Sequence, residues 1–201
     1  MKKHLLSSGW HLNSPAYSGT VDLPNDYAVI QKRDINTPGG ASTGFYKGGV
    51  GTYTKFIDLP SDGTHVLLDV DGAYMCAHVF FNETLLTMHP YGYTPFLVDL
   101  TDYIIPDIKN KLEIRTNDMQ PSSRWYSGAG IYRDVFVWTG GSHRIAPWDL
   151  FVTTPTADGK VNAAVRVTAD FDAEAVIKFT VRDADGRGIM YCAKPYRLYR
   201  A

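Results

Sequence analysis

The chain has 201 residues, 44% of them hydrophobic, 13% aromatic and 20% charged, with 18 glycines and 11 prolines. That mixture suits a folded, turn-rich protein of one or two domains and excludes a disordered chain. The formal net charge is −1 with lysine and arginine scattered along the chain, so there is no basic patch to grip nucleic acid or anionic lipid, and no apolar run nears the roughly 20 residues that span a bilayer.

The opening residues, Met1, Lys2, Lys3, His4, Leu5 and Leu6, carry the charge of an export signal, but Ser7, Ser8 and Gly9 interrupt them. The apolar stretch falls short of the roughly 7–15 residues a signal needs, so a cytoplasmic chain is expected. Thereafter short β-branched and aromatic runs recur between turn signals, and helical periodicity is nearly absent. Residues 66–70 follow the turn Ser61-Asp62-Gly63. Residues 75–81 are almost continuously apolar and predict a central strand covered on both faces, with Cys76 and His78 as satisfied core residues. Asn82-Glu83 predicts a tight turn into residues 84–86. Along residues 112–115 the period of two places Leu112 and Ile114 inward. Residues 135–138 make another strand, halted by Gly140-Gly141.

Beyond that glycine pair, residues 150–153, 163–167 and 177–182 predict three strands with cleaner alternation. Ile177, Phe179 and Val181 face inward against Lys178, Thr180 and Arg182. A domain boundary is expected near residues 140–147. The second unit holds only three or four strands, little for an independent sandwich, and reads as cut short. The two cysteines, Cys76 and Cys192, and the six histidines fit no metal-ligand spacing, so neither metal nor cofactor is expected.

Four segments carry a resemblance, in order. Residues 21–27 contain Leu23-Pro24-Asn25-Asp26-Tyr27; residues 48–56 read Gly48-Gly49-Val50-Gly51-Thr52-Tyr53-Thr54-Lys55-Phe56; Gly72-Ala73-Tyr74 leads through Asn82 to Gly92-Tyr93-Thr94-Pro95-Phe96 and Asp99-Leu100-Thr101; and residues 121–135 end in Gly130-Ile131-Tyr132-Arg133-Asp134-Val135. Together they closely resemble the N-terminal sugar-binding domain of glycoside hydrolase family 2. The departures are Asn25 and Tyr27 for His and Trp, Thr52 and Thr54 for Trp and Arg, and Glu83 for Gly.

The resemblance implies an all-β architecture: a jelly-roll (galactose-binding-like) β-sandwich over residues 1–143 and the start of an immunoglobulin-like β-sandwich over residues 146–201. In that family a TIM barrel follows and holds the active site. Retaining hydrolysis uses two carboxyl groups roughly 5–5.5 Å apart, both glutamates of the barrel, one preceded by Asn. Here the only glutamates are Glu83, Glu113 and Glu174, in a turn, an alternating strand and a loop, so no catalysis is expected from these residues.

The family also implies that the loop before the "GIYRDV" strand reaches the terminal sugar, giving Arg124, Trp125, Asn117 and Asp118 as candidate sugar-binding residues. Arg124 supplies a rigid fork of donors, Trp125 an aromatic face, and Asn117 and Asp118 acceptors for hydroxyls. Ser123 stands where some galactosidases carry aspartate, so that galactose contact is not transferred. Arg133 and Asp134 are expected in ion pairs, and the run from Tyr91 to Phe96 in loop packing, with a carbohydrate platform as its alternative.

The implied role is the non-catalytic portion of a β-galactosidase-type enzyme. Its partners are a β-linked oligosaccharide or terminal galactoside and a catalytic barrel, and a homo-oligomer is open. β-Glucuronidase and β-mannosidase share the architecture. The rival readings are a free-standing carbohydrate-binding module and a structural remnant. Residues 191–201 continue no element of the family pattern.

Overall fold

The computed structural model describes residues 1–121, 128–154 and 160–200. The chain separates into two compact units, Lys2–Thr139 and Gly140–Ala201, the latter also taking in Met1. Among the described residues there is no α-helix; two short 3-10 turns, Gly40–Thr43 and Thr101–Tyr103, accompany the strands.

In the first unit the strands are β1 (Lys2–Leu5), β2 (Trp10–Asn13), β3 (Ser18–Val21), β4 (Gly49–Ile57), β5 (His65–Val70), β6 (Ala77–Phe81), β7 (Thr84–His89), β8 (Phe96–Asp99), β9 (Asn110–Asp118) and β10 (Val135–Gly140). They form a six-stranded sheet in the order β3-β2-β4-β9-β6-β7 and a four-stranded sheet in the order β1-β10-β5-β8. One apolar cluster joins the two sheets into a β-sandwich. Period-two alternation explains it, because every second side chain points to the same face. A single row crosses four strands of the larger sheet, Leu12 beside Tyr53, Tyr53 beside Ile114, and Ile114 beside Val79, and all four are fully buried. From the smaller sheet Val66, Leu68, Val70, Val98, Val135 and Val137 meet them. Each such burial is worth about 1.5–3 kcal/mol against exposure.

The outward row beside it reads Asn13, Thr52, Arg115, His78 and Met88. This corrects the expectation for residues 75–81. The strand begins at Ala77 and is covered on one face only. His78 lies half-exposed on the outer face, its Nδ1 2.8 Å from the Cys76 carbonyl oxygen. Cys76 is half-buried ahead of the strand with a φ of 48°. On the same face the Arg115 guanidinium stacks 4.3 Å above the Phe80 ring, which covers that aromatic in place of a second layer.

The Asn82-Glu83 turn forms as expected, both residues at positive φ, the geometry of a tight two-residue hairpin. Asn82 does more than turn the chain. Its Nδ2 donates to Asn110 Oδ1 at 2.7 Å and its Oδ1 accepts from the Lys111 amide at 2.9 Å, which ties the hairpin to β9.

The second unit contains β11 (His143–Arg144), β12 (Leu150–Thr153), β13 (Asn162–Val165), β14 (Thr168–Ala169), β15 (Ala173–Arg182) and β16 (Gly188–Leu198). They pair as three antiparallel two-stranded ladders, β11 with β14, β12 with β13, and β15 with β16. The β15–β16 connection is closed by Asp183, whose Oδ1 accepts from the amides of Asp185 and Arg187 at 3.0 and 2.8 Å. Arg144 Nη1 donates to Asp170 Oδ1 at 2.8 Å, bridging β11 and the end of β14. Ala169 and Pro147 are buried in this unit.

Candidate functional site

Of the sequence-derived candidates, Arg124 and Trp125 lie outside the described residues. Asn117 and Asp118 close β9 and pair with Val50 and Gly49 of β4. Asn117 is half-buried, with its amide donating to the Met75 carbonyl at 2.7 Å. Asp118 is buried, and its Oδ2 accepts from Gln120 Nε2 at 3.0 Å. The same Gln120 nitrogen donates to the Tyr46 carbonyl at 3.1 Å. Burial pushes the Asp118 carboxyl up, the bond from Gln120 opposes that, and the nearby negative charge of Asp26 adds to it. Asn117, Asp118 and Gln120 line a shallow cleft of about 520 Å3 together with Lys47, Gly49 and Met119.

Residues 128–131, on the far side of the 122–127 segment, are fixed from two directions. Asp26 Oδ1 accepts from the amides of Ala28 at 2.8 Å and Ala129 at 2.9 Å. The Asn25 and Tyr27 amides donate to the carbonyls of Ile131 and Ala129 at 2.7 and 3.0 Å. From the other side Tyr74 and Gly130 exchange both backbone hydrogen bonds, at 2.8 and 3.0 Å. Beneath them Tyr53 Oη donates to Asn25 Oδ1 at 2.8 Å and Tyr27 Oη to the Gly49 carbonyl at 2.7 Å. Burial pushes the Tyr27 phenol up to about 12 and the Tyr53 phenol higher still, so both stay neutral donors. Gly130 sits at φ 117°, and a β-carbon there would overlap the Tyr53 hydroxyl and the Asn25 carbonyl. Only glycine meets both demands.

The sequence reading missed Asp26, Tyr27, Tyr53 and Gln120. The signal available for the first two was the Leu23-to-Tyr27 element, whose Asp26 turns out to hold a backbone amide 103 residues away, and for Tyr53 the Gly48-to-Phe56 element.

The three glutamates show no arrangement of an acid and a nucleophile. Glu83 sits exposed on the hairpin turn, bound to Lys111 Nζ at 2.8 Å, and Glu113 lies on the outer sheet face, 3.3 Å from the same lysine and bonded to Arg115 Nε at 2.6 Å. The bond from Lys111 holds the Glu83 carboxyl below its usual range. A general acid needs the opposite shift, so that it keeps a proton near neutrality. Glu174 is on β15, opposite Arg197. Among the described residues no group of three or more histidine, cysteine or acidic side chains is placed to hold a metal ion.

Arg133 takes different partners from those expected. Its Nη1 donates to the Asp71 carbonyl at 3.5 Å and the guanidinium lies 5.2 Å from the Tyr132 ring centre. In the run from Tyr91 to Phe96, Phe96 is buried and stacks on His89 at 4.4 Å, whereas Tyr91 and Tyr93 stay exposed.

No family model matches the chain. It is 37% identical over 177 residues to the β-galactosidase BoGH2A of Bacteroides ovatus, a match covering 84% of this chain and 21% of that protein. It is 32% identical over 163 residues to a β-glucuronidase of Bacteroides fragilis, covering 72% of this chain and 22% of the relative. The chain thus spans about a fifth of the length of these curated relatives. The crystal structure of a glycosyl hydrolase family 2 member from Bacteroides cellulosilyticus superposes with a TM-score of 0.90 at 22% identity, covering 98% of this chain and 29% of that one. With the same sandwich, the four ordered elements and this identity, the chain belongs to glycoside hydrolase family 2 and corresponds to its N-terminal β-rich region.

Proposed function

We propose that this chain is the sugar-recognising, non-catalytic portion of a retaining β-glycosidase that removes a terminal β-linked sugar, with β-galactosidase the favoured type. The observation that carries this reading is the double anchoring around residues 122–127. Gln120 and Asp118 hold one flank, Asp26 and the Tyr74–Gly130 bridge hold the other. Fixed flanks of this kind lower the ordering cost of a binding site built between them. Arg124 offers paired donors to vicinal hydroxyls and Trp125 an apolar face for the sugar ring. Asn117 contributes at the rim of the cleft. Asp118, buried and bonded to Gln120, positions the strand end rather than contacting the sugar. The galactosidase type is favoured over glucuronidase by the higher identity to the Bacteroides ovatus β-galactosidase. Residues 1–143 serve as the sugar-binding domain and 146–201 as part of an immunoglobulin-like domain. Bond cleavage belongs to the two carboxyl groups of a barrel.

The test has two arms. Purified chain is expected to leave a chromogenic β-galactoside intact, and turnover that survives repurification would sink the reading. In calorimetric titration with galactose, lactose and cellobiose, Arg124→Ala and Trp125→Ala should each weaken any binding about tenfold or more. The self-contained core of the first unit favours a second reading, a free-standing carbohydrate-binding module. Millimolar binding by the chain alone supports that module, and silence supports half of a composite site.

A further inference from the structure

Four tyrosines from three separate segments converge on one surface of the first unit. Tyr74 precedes β6, Tyr91 and Tyr93 occupy the turn between β7 and β8, and Tyr132 precedes β10. The Tyr74 ring is buried and meets the Tyr93 ring edge-on at 5.6 Å, and the two side chains are hydrogen-bonded. Tyr93 and Tyr91 lie 5.4 Å apart at 60°. Between them Gly92 is pressed against the Tyr74 ring so closely that a β-carbon would not fit. Its carbonyl accepts from Tyr132 Oη at 2.7 Å. His89 Nε2 lies 3.0 Å from Thr94 Oγ1 and stacks on Phe96. The turn is therefore locked from both ends and from beneath.

What the lock displays is unusual for a surface turn. Tyr91 is 58% and Tyr93 41% exposed, two large rings standing side by side in solvent. They carry their own phenol hydroxyls, and Thr94 follows in the same turn with its hydroxyl 3.0 Å from His89 Nε2. Burial and the neighbouring tyrosines push the Tyr93 phenol up, keeping it a neutral donor.

A protein partner would call for a contiguous apolar patch of several hundred Å2. Here two exposed rings stand together, each carrying its own phenol hydroxyl. That is the chemistry of a sugar, whose pyranose ring has an apolar C–H face and a hydroxyl-bearing rim. Tyrosine carries the stacking face and the polar tip in one side chain with few torsions to freeze.

We infer that Tyr91 and Tyr93 form a platform for a neutral oligosaccharide, held in place by Tyr74, Gly92 and Tyr132. The platform uses no residue of the 122–127 segment, so it stands or falls apart from the reading of Arg124 and Trp125.

The experiment is an NMR titration of the full 201-residue chain with lactose and with cellotetraose, following the tyrosine ring signals. Saturable shifts at Tyr91 and Tyr93 are expected, tighter for the longer sugar. Tyr91→Ala should weaken binding tenfold or more, whereas Tyr91→Phe, which keeps the ring, should retain most of it. The double variant Arg124→Ala/Trp125→Ala should leave the Tyr91 and Tyr93 shifts in place. Tyr91 is exposed, so an unchanged melting midpoint is expected to show that its variants fold. No saturable shift up to the solubility limit of either sugar would overturn the inference. So would shifts that survive Tyr91→Ala, or concentration-dependent self-association that Tyr91→Ala abolishes, which would mark a protein contact instead.

Discussion

Strands β9 and β15 are written in the same alternating style, yet they end in different environments. On β9, Leu112 and Ile114 are fully buried beneath the four-stranded sheet. On β15, Ile177, Phe179 and Val181 take the inward positions but remain half-exposed, and their partners on β16 are exposed throughout apart from Leu198. The difference lies in what covers the face. A six-stranded sheet lies across a four-stranded one in residues 2–139, while residues 140–200 are paired two by two. Alternation writes an apolar face, and only a second layer turns that face into a core.

The widest gap should appear in amide hydrogen exchange. Amides of β4, β6 and β9 are expected to exchange orders of magnitude more slowly than those of β15 and β16, since opening free energies run from near zero up to the global stability. Equal protection across both units in a dilute monomer would erase the comparison. Core substitution should separate the units next. Trp10 is fully buried, with its indole nitrogen donating to the Leu6 carbonyl at 2.8 Å, so Trp10→Ala should cost about 3–5 kcal/mol in urea unfolding. Phe151 on β12 is 67% exposed, and Phe151→Ala should stay within about 0.5 kcal/mol. Similar costs for the two would show that exposure misjudges the second unit.

The smallest effect is a pH dependence confined to the first unit. Asp69 is buried on β5, and burial pushes its carboxyl up against the bond from Trp138 Nε1 at 2.9 Å, with the nearby Asp71 charge adding to the rise. A raised carboxyl favours the folded state while protonated. That contribution is complete below the ordinary carboxylate value of about 3.9 and is lost as pH rises through the raised value. Asp118 acts in the same sense. Asp69→Asn should therefore flatten the decline in melting midpoint between mildly acidic and neutral pH. Parallel curves for the two proteins would rule Asp69 out as its source.

Much of the first unit could be read before any coordinates. The inward placement of Leu112 and Ile114, the Asn82-Glu83 turn and the strand at residues 135–138 followed from period and turn chemistry. The readings that failed share a cause. His78 and Cys76 were assigned to the core because their neighbours are apolar, but Phe80 on the outer face is covered by Arg115, a cross-strand contact that no local pattern encodes. The opening Lys2–Leu5, to which the sequence reading gave no strand, is an edge strand paired with β10 across more than a hundred residues. The motif before β10 gave no sign of Asp26 and Gln120 as the residues that fix its described flanks.

Sequence alone determined the all-β class, the strands at residues 112–115 and 135–138, the Asn82-Glu83 turn and the family, because each depends on residues near one another in the chain or on ordered motifs. Tertiary structure decided which apolar faces are covered, that Asp26 clamps Ala129, and that four tyrosines from three segments share one surface. Those outcomes depend on contacts between segments tens of residues apart, where free energy is gained only once the sheets have stacked.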